Sequence, residues 1–116
     1  MHEMALMGDI LQIVTEDARE RGLQAIQEIA LLVGEYSNAM PDALEMAFLI
    51  YKAEGVSSLL PDSRLQIVRE AGQAQCVLCG AVYTPERKLS ICPSCGMPSG
   101  RLIAGEAFQV ISYEGS

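Results

Sequence analysis

Histidine is almost absent from this chain: His2 is the only one among 116 residues. With no second imidazole, nothing further along the chain can pair with a serine or cysteine to activate it as a nucleophile. No glycine-rich loop of the kind that cradles phosphates is present, so a nucleotide-driven enzyme is not expected. Bases are scarce too, eight against fifteen acids, for a net charge of −7. Such a surface repels phosphate backbones and argues against a nucleic-acid partner. Arg87-Lys88 with Arg101 is the one basic patch near the cysteines, and it reads as a solvated face. Long apolar runs are missing as well. The first apolar stretch has no basic residues before it and is interrupted by Glu3 and Asp9, so neither a signal peptide nor a membrane span is expected. Carboxylates are plentiful, but nothing in the sequence gathers them into a pocket. These absences together point away from an enzyme.

What is present centres on four cysteines. Cys76-x2-Cys79 and Cys92-x2-Cys95 stand twelve residues apart and use every cysteine in the chain. Two such pairs make a tetrahedral cage of four sulfurs for one soft metal, with zinc the leading occupant. A closed cage of this type leaves zinc no open position for a reactive water. Each pair is followed by glycine, Gly80 and Gly96, where a tight turn brings backbone N–H groups toward sulfur. Two disulfides are the competing reading, but four thiols kept reduced for a metal fit the cytoplasm better. A second competitor is a rubredoxin-like electron-transfer protein with iron in the same cage, since Cys76-x2-Cys79-Gly80 and Cys92-Pro93-x-Cys95-Gly96 resemble its knuckles. Against it, the chain is long and poor in aromatics near the site.

Half of the residues are apolar, enough for one compact domain with a small lobe. Residues 4–21 predict a helix, with Met7, Ile10, Leu11, Val14 and Ala18 at steps of three and four and Gly22 as the stop. Residues 25–33 predict a strand with Ile29, Leu31 and Val33 on one face. Pro41 suits the first turn of a second helix that runs to Gly55, with Leu44, Ala47, Phe48 and Tyr51 as its stripe. Residues 64–70 predict a second strand with Leu65 and Ile67 inward, and residues 102–112 a third containing Phe108 and Val110. The expected fold is α+β, a small mixed sheet of about three strands with two helices. A four-cysteine, zinc-ribbon-like lobe over residues 74–100 is inserted into a domain formed by residues 1–73 with 101–116.

His2 gains interest from its position. The Met1 amine, the amide nitrogen between Met1 and His2, and the imidazole Nδ1 close two fused chelate rings around one ion. That nitrogen-rich, planar set suits Ni(II) or Cu(II). Three nitrogens leave a fourth place for Glu3, water or a partner, and an open place permits the ligand exchange that a carrier needs. Glu3 also offsets the positive end of the helix behind it. Met1, Met4 and Met7 fall at helical spacing and read as core or interface rather than as a copper site.

The start Met1-His2-Glu3-Met4 resembles the HypA/HybF family of hydrogenase nickel-incorporation proteins. The resemblance continues through Val33-Gly34-Glu35-Tyr36-Ser37, Pro41-Asp42-Ala43-Leu44, the two cysteine pairs and Ile103-x-Gly105-Glu106. It implies a nickel metallochaperone for [NiFe]-hydrogenase maturation, and in some organisms for urease. It implies Ni(II) at His2 with Met1 and Glu3 as accessory ligands, and structural Zn(II) at Cys76, Cys79, Cys92 and Cys95. The implied partners are the nickel-handling GTPase HypB and the hydrogenase large subunit. Some family members carry further histidines around the cysteine knuckles, and this chain has none: Gly80-Ala81-Val82 and Gly96-Met97-Pro98 stand there.

Overall fold

An apolar stripe at helical spacing builds α1, His2–Glu20, and all of its aliphatic members, Met7, Ile10, Leu11, Val14 and Ala18, are buried. This is a computed structural model, and it describes residues 2–85 and 91–116; Met1, Arg87 and Lys88 lie outside the described residues. The helix ends as its sequence predicts. Gly22 takes φ +77°, Leu23 N–H bonds to Ala18 C=O at 2.8 Å and Gly22 N–H to Arg19 C=O at 3.1 Å. These two bonds form a Schellman stop, which satisfies carbonyls that the helix itself leaves unpaired.

β1 (Ile26–Gly34) is followed by α2 (Pro41–Ala53), a short 3-10 turn (Val56–Ser58), β2 (Leu59–Glu70), β3 (Gln73–Cys76), β4 (Val82–Tyr83), β5 (Gly100–Ala104) and β6 (Phe108–Gly115). Among the described residues two three-stranded sheets result, ordered β2-β1-β6 and β4-β3-β5. In the first, β1 is the middle strand. Reciprocal bonds between Ala25 and Ser116 at one end, and Gly34 N–H to Ala107 C=O at the other, make β6 antiparallel to it. Ser63 meets Ile26 and Glu70 meets Glu35, so β2 runs parallel to β1 and the sheet is mixed. A parallel neighbour requires a crossover, and α2 supplies it. Ile29, Leu31 and Val33 are buried on one face of β1, and Ala30 on the other lies between half-buried Glu28 and Leu32.

Two expected strands differ in extent. β2 begins at Leu59, five residues before the predicted 64, although Pro61 lies within it. An edge strand tolerates a missing N–H. The side chain of Ser63 also satisfies groups there, accepting from Leu60 N–H at 2.7 Å and donating to Ile26 C=O at 2.6 Å. The single strand predicted over 102–112 is two strands, β5 and β6, in different sheets. Gly105, at φ +106°, turns the chain between them.

The chain divides into two compact units. The first comprises residues 1–32, 39–68 and 109–116, the second residues 33–38 and 69–108. The core of the first unit contains Met7, Leu11, Val14, Ile26, Leu31, Leu44 and Phe48. The second is built around Ala74 and the cysteines, with Cys76 and Cys92 buried. Within it three glycines approach one another closely. A Cβ on Gly34 would lie 2.2 Å from Gly105 C=O, and one on Gly105 would lie 2.7 Å from the Gly72 Cα. No side chain fits at either contact.

Candidate metal centres

The first cysteine pair forms the turn of a hairpin. β3 and β4 pair antiparallel with Ala74 opposite Tyr83 and Gln75 opposite Val82, and residues 76–81 close the loop. Cys76 N–H bonds to Ala81 C=O at 2.9 Å, and Gly80 N–H returns to Cys76 C=O at 3.0 Å. The second pair repeats this pattern. Cys92 N–H bonds to Met97 C=O at 3.0 Å and Gly96 N–H to Cys92 C=O at 2.8 Å. Gly80 and Gly96 both sit in the left-handed region, at φ +78° and +73°, as their place after each pair requires. In each pair the first cysteine is buried and the second exposed. Two like knuckles therefore face one another.

Their sulfurs meet at one point. All four Sγ atoms lie within 4.8 Å of one another, and the Cys76–Cys95 and Cys79–Cys92 separations are both 3.6 Å. A zinc–sulfur bond of about 2.3 Å gives a tetrahedron with edges of about 3.8 Å, so the arrangement fits a tetrahedral ion of that size. The electrostatics point the same way. The Ser99 hydroxyl, then the Cys79 N–H, hold the Cys76 thiol down at about 5. Cys92 is lowered first by the Cys95 N–H. Cys79 is eased downward by Ala81, but the neighbouring Cys76 and Cys92 sulfurs outweigh this and push it up to about 11. Four crowded sulfurs cannot all ionise without a cation among them, and a divalent metal supplies that charge. Ser99, which bonds the Cys76 sulfur, was not among the residues singled out from the sequence. A hydroxyl four residues past Cys95 is too weak a signal to pick out by spacing alone.

The other end of the chain is organised by α2. Met40, the residue before α2, has no side-chain cap of its own, and its N–H donates to Glu3 Oε2 at 3.3 Å. Glu3 is buried, and His2 Nδ1 stands 3.7 Å from the same carboxylate oxygen. The Glu3 carboxyl is held below its ordinary value by its own backbone N–H, then by that of Met40, with His2 adding to the effect. One residue on, Met4 C=O accepts from the Tyr51 hydroxyl at 2.9 Å. Residues 3 and 4 are thus both tied to the segment that contains α2. His2 itself is exposed. Met7 is fully buried and belongs to the core, which removes it from any thioether site. An open cleft of about 750 Å³ lies elsewhere on the first unit, lined by Asp17, Arg21 and Tyr113, and neither motif opens onto it.

Fold and cluster together define a small α+β protein with an embedded set of four cysteines fit to hold one metal ion. The family described as hydrogenase/urease nickel incorporation, metallochaperone, HypA, matches residues 1–115, and the chain belongs to it. The hydrogenase maturation factor HypA of Moorella thermoacetica is 34% identical over 115 residues, 99% of each chain. That of Rhizobium leguminosarum bv. viciae is 33% identical over 114 residues, 98% of each. Among solved structures, the solution structure of the nickel metallochaperone HypA from Helicobacter pylori superposes with a TM-score of 0.64 at 21% identity, covering 97% of this chain and 96% of that one. A second HypA solution structure gives a TM-score of 0.70 at 22% identity, covering 100% and 97%. These two likenesses establish the fold.

Proposed function

We propose that this protein carries Ni(II) to a maturing [NiFe]-hydrogenase, with urease as a second destination within the scope of its family. Nickel is cargo, held by His2 with the Met1 amine, and Glu3 is the accessory carboxylate. Zn(II) is resident, held by Cys76, Cys79, Cys92 and Cys95, and its role is to cross-link the two knuckles. The chain is not an enzyme in this reading. The partners are the nickel-handling GTPase HypB, which hands nickel over or receives it, and the hydrogenase large subunit, and the work takes place in the cytoplasm. No helix among the described residues is long and apolar enough to cross a membrane, in keeping with that placement.

The observation that carries the reading is the match of the whole chain to a nickel-incorporation family. It is supported by the exposed His2 imidazole beside a buried, anchored Glu3. The anchored carboxylate keeps negative charge next to the imidazole and so favours a cation there. The Met1 amine is tested by extending the chain. A residue added before Met1 turns that amine into a peptide nitrogen and breaks the fused chelate rings. Calorimetric titration of nickel into untagged protein and into protein with a Gly-Ser extension should show strong loss of affinity in the extended form only. A histidine-free tag after Ser116 should leave affinity unchanged. Mild acid should also weaken binding, because every ligand atom must give up its proton. Equal affinity with and without the extension would exclude the amine. Metal analysis of the untagged protein after nickel equilibration should find one equivalent each of zinc and nickel, and a red, iron-containing product would revive the rubredoxin-like reading.

A further inference from the structure

The cysteine cage is not symmetric in its surroundings, and the asymmetry lies at one side chain. Ser99 Oγ stands 3.0 Å from Cys76 Sγ and 4.0 Å from Cys95 Sγ. Its backbone is held from both sides. Ser99 C=O accepts from Val77 N–H at 3.0 Å, inside the first knuckle, and Ser99 N–H donates to Met97 C=O at 2.8 Å, inside the second. The next residue, Gly100, is paired opposite Cys76 in the β3–β5 ladder. The hydroxyl is therefore delivered to the Cys76 sulfur by backbone bonds from both knuckles. Cys76 also receives the N–H groups of Cys79 at 3.3 Å and Leu78 at 3.4 Å.

We infer that Ser99 is a supporting residue of the four-thiolate metal site, donating a hydrogen bond to the Cys76 sulfur and setting how tightly the cage keeps its metal. The inference rests on the reading of the four cysteines as a metal cage. When metal is bound, Cys76 is a thiolate and has no proton to give. The Ser99 hydroxyl must then be the donor, because aiming its lone pairs at an anion is repulsive. Met97 C=O, 3.3 Å from Ser99 Oγ, is the rival acceptor, and the thiolate outbids it as the charged partner. A hydrogen bond to a thiolate withdraws charge from sulfur and lowers its reactivity toward competing acids and chelators. It also fixes the rotamer of a ligand that sits at the join between β3 and the first knuckle. This chain has no histidine near its knuckles to supply such a donor, and a hydroxyl does so without titrating.

The test uses the untagged full chain with one equivalent of zinc, as wild type, Ser99→Ala and Ser99→Thr. Zinc is competed away with a chromophoric chelator, giving affinity and release rate. The same proteins are loaded with Co(II), whose thiolate-to-metal charge-transfer band reports electron density on sulfur. Ser99→Ala should lose about 10-fold or more in zinc affinity, at the low end of the range for supporting partners of metal ligands. Its charge-transfer band should move to lower energy. Ser99→Thr, which keeps the hydroxyl, should restore both toward wild type. Ser99→Ala within twofold of wild type and with an unmoved band would overturn the inference. So would equal weakening in both variants with an unmoved band, since the residue would then act through packing alone. If the wild-type protein itself held no zinc, the cage reading would fail instead, and the two failures are thereby distinguished.

Discussion

At the scale of single residues, charge is placed where hydrogen bonds can hold it. Asp17 accepts a hydrogen bond from the Tyr113 hydroxyl and a second bond from Arg21 Nε at 2.8 Å. Tyr113, then Arg21, hold the Asp17 carboxyl below its ordinary 3.8, while the same bond to Asp17 raises Tyr113 above its ordinary 10.0. A depressed carboxyl stabilises the fold fully above its ordinary value and loses that contribution as pH falls through the folded value. A raised phenol contributes fully below its ordinary value and loses it as pH rises through the folded one. The pair therefore acts across the range between those limits. Tyr113→Phe should lower the melting temperature by a constant amount from about pH 5 to 9. The gap to wild type should close in stronger acid as Asp17 protonates. Thermal melts of both proteins across pH check this, and a gap that does not narrow in acid would show that the bond contributes nothing through its charge.

At the scale of elements, two contacts decide whether strands can lie where they do. The Ser63 hydroxyl is buried and bonds on both sides, to Leu60 N–H and to Ile26 C=O, at the point where Pro61 offers no N–H of its own. Ser63→Ala leaves a donor and an acceptor unpaired and should cost about 1–3 kcal/mol in chemical denaturation. Gly34 admits no side chain at all, because its Cβ would lie 2.2 Å from Gly105 C=O. Backbone cannot yield as a flexible side chain can, so Gly34→Ala should cost roughly 1–3 kcal/mol by overpacking. Ala30→Gly serves as the control for a β1 substitution that adds no atoms. Urea titration separates the outcomes, and a Gly34→Ala midpoint equal to wild type would mean that the contact is relieved at no cost.

At the scale of the whole molecule, the two proposed metal motifs stand far apart in the sequence, and each belongs to a different compact unit. His2 is exposed and Cys76 and Cys92 are buried, so the motifs should fail independently. His2→Ala should abolish specific nickel binding and leave zinc content and melting temperature unchanged, because an exposed side chain contributes little to a core. Cys76→Ser should lower zinc content and open the segment around 96–100 to protease, because three thiolates make an open, weaker cage. Zinc analysis and limited proteolysis of both variants check the separation. Loss of zinc from His2→Ala would join the sites and defeat the two-site proposal.

The residue pattern alone determined the helices, the middle strand and the turns of the two cysteine pairs. Their signals are local: an apolar stripe at helical spacing from Met7 to Ala18, Gly22 and Pro41 as punctuation, and a cysteine-x2-cysteine-glycine turn made twice. Local geometry is carried by residues a few positions apart, so it can be read without knowing the fold. What the tertiary structure decided is long-range. Only the fold shows that residues 102–112 part at Gly105 into two sheets, since the break comes from a backbone crossing with Gly72 and Gly34 far away in sequence. Only the fold buries Glu3 against the Met40 N–H, and only the fold brings the Ser99 hydroxyl to Cys76. The last two pair polar groups distant along the chain, and no periodicity encodes such a pairing; it exists only once the fold has brought each group within reach of the other.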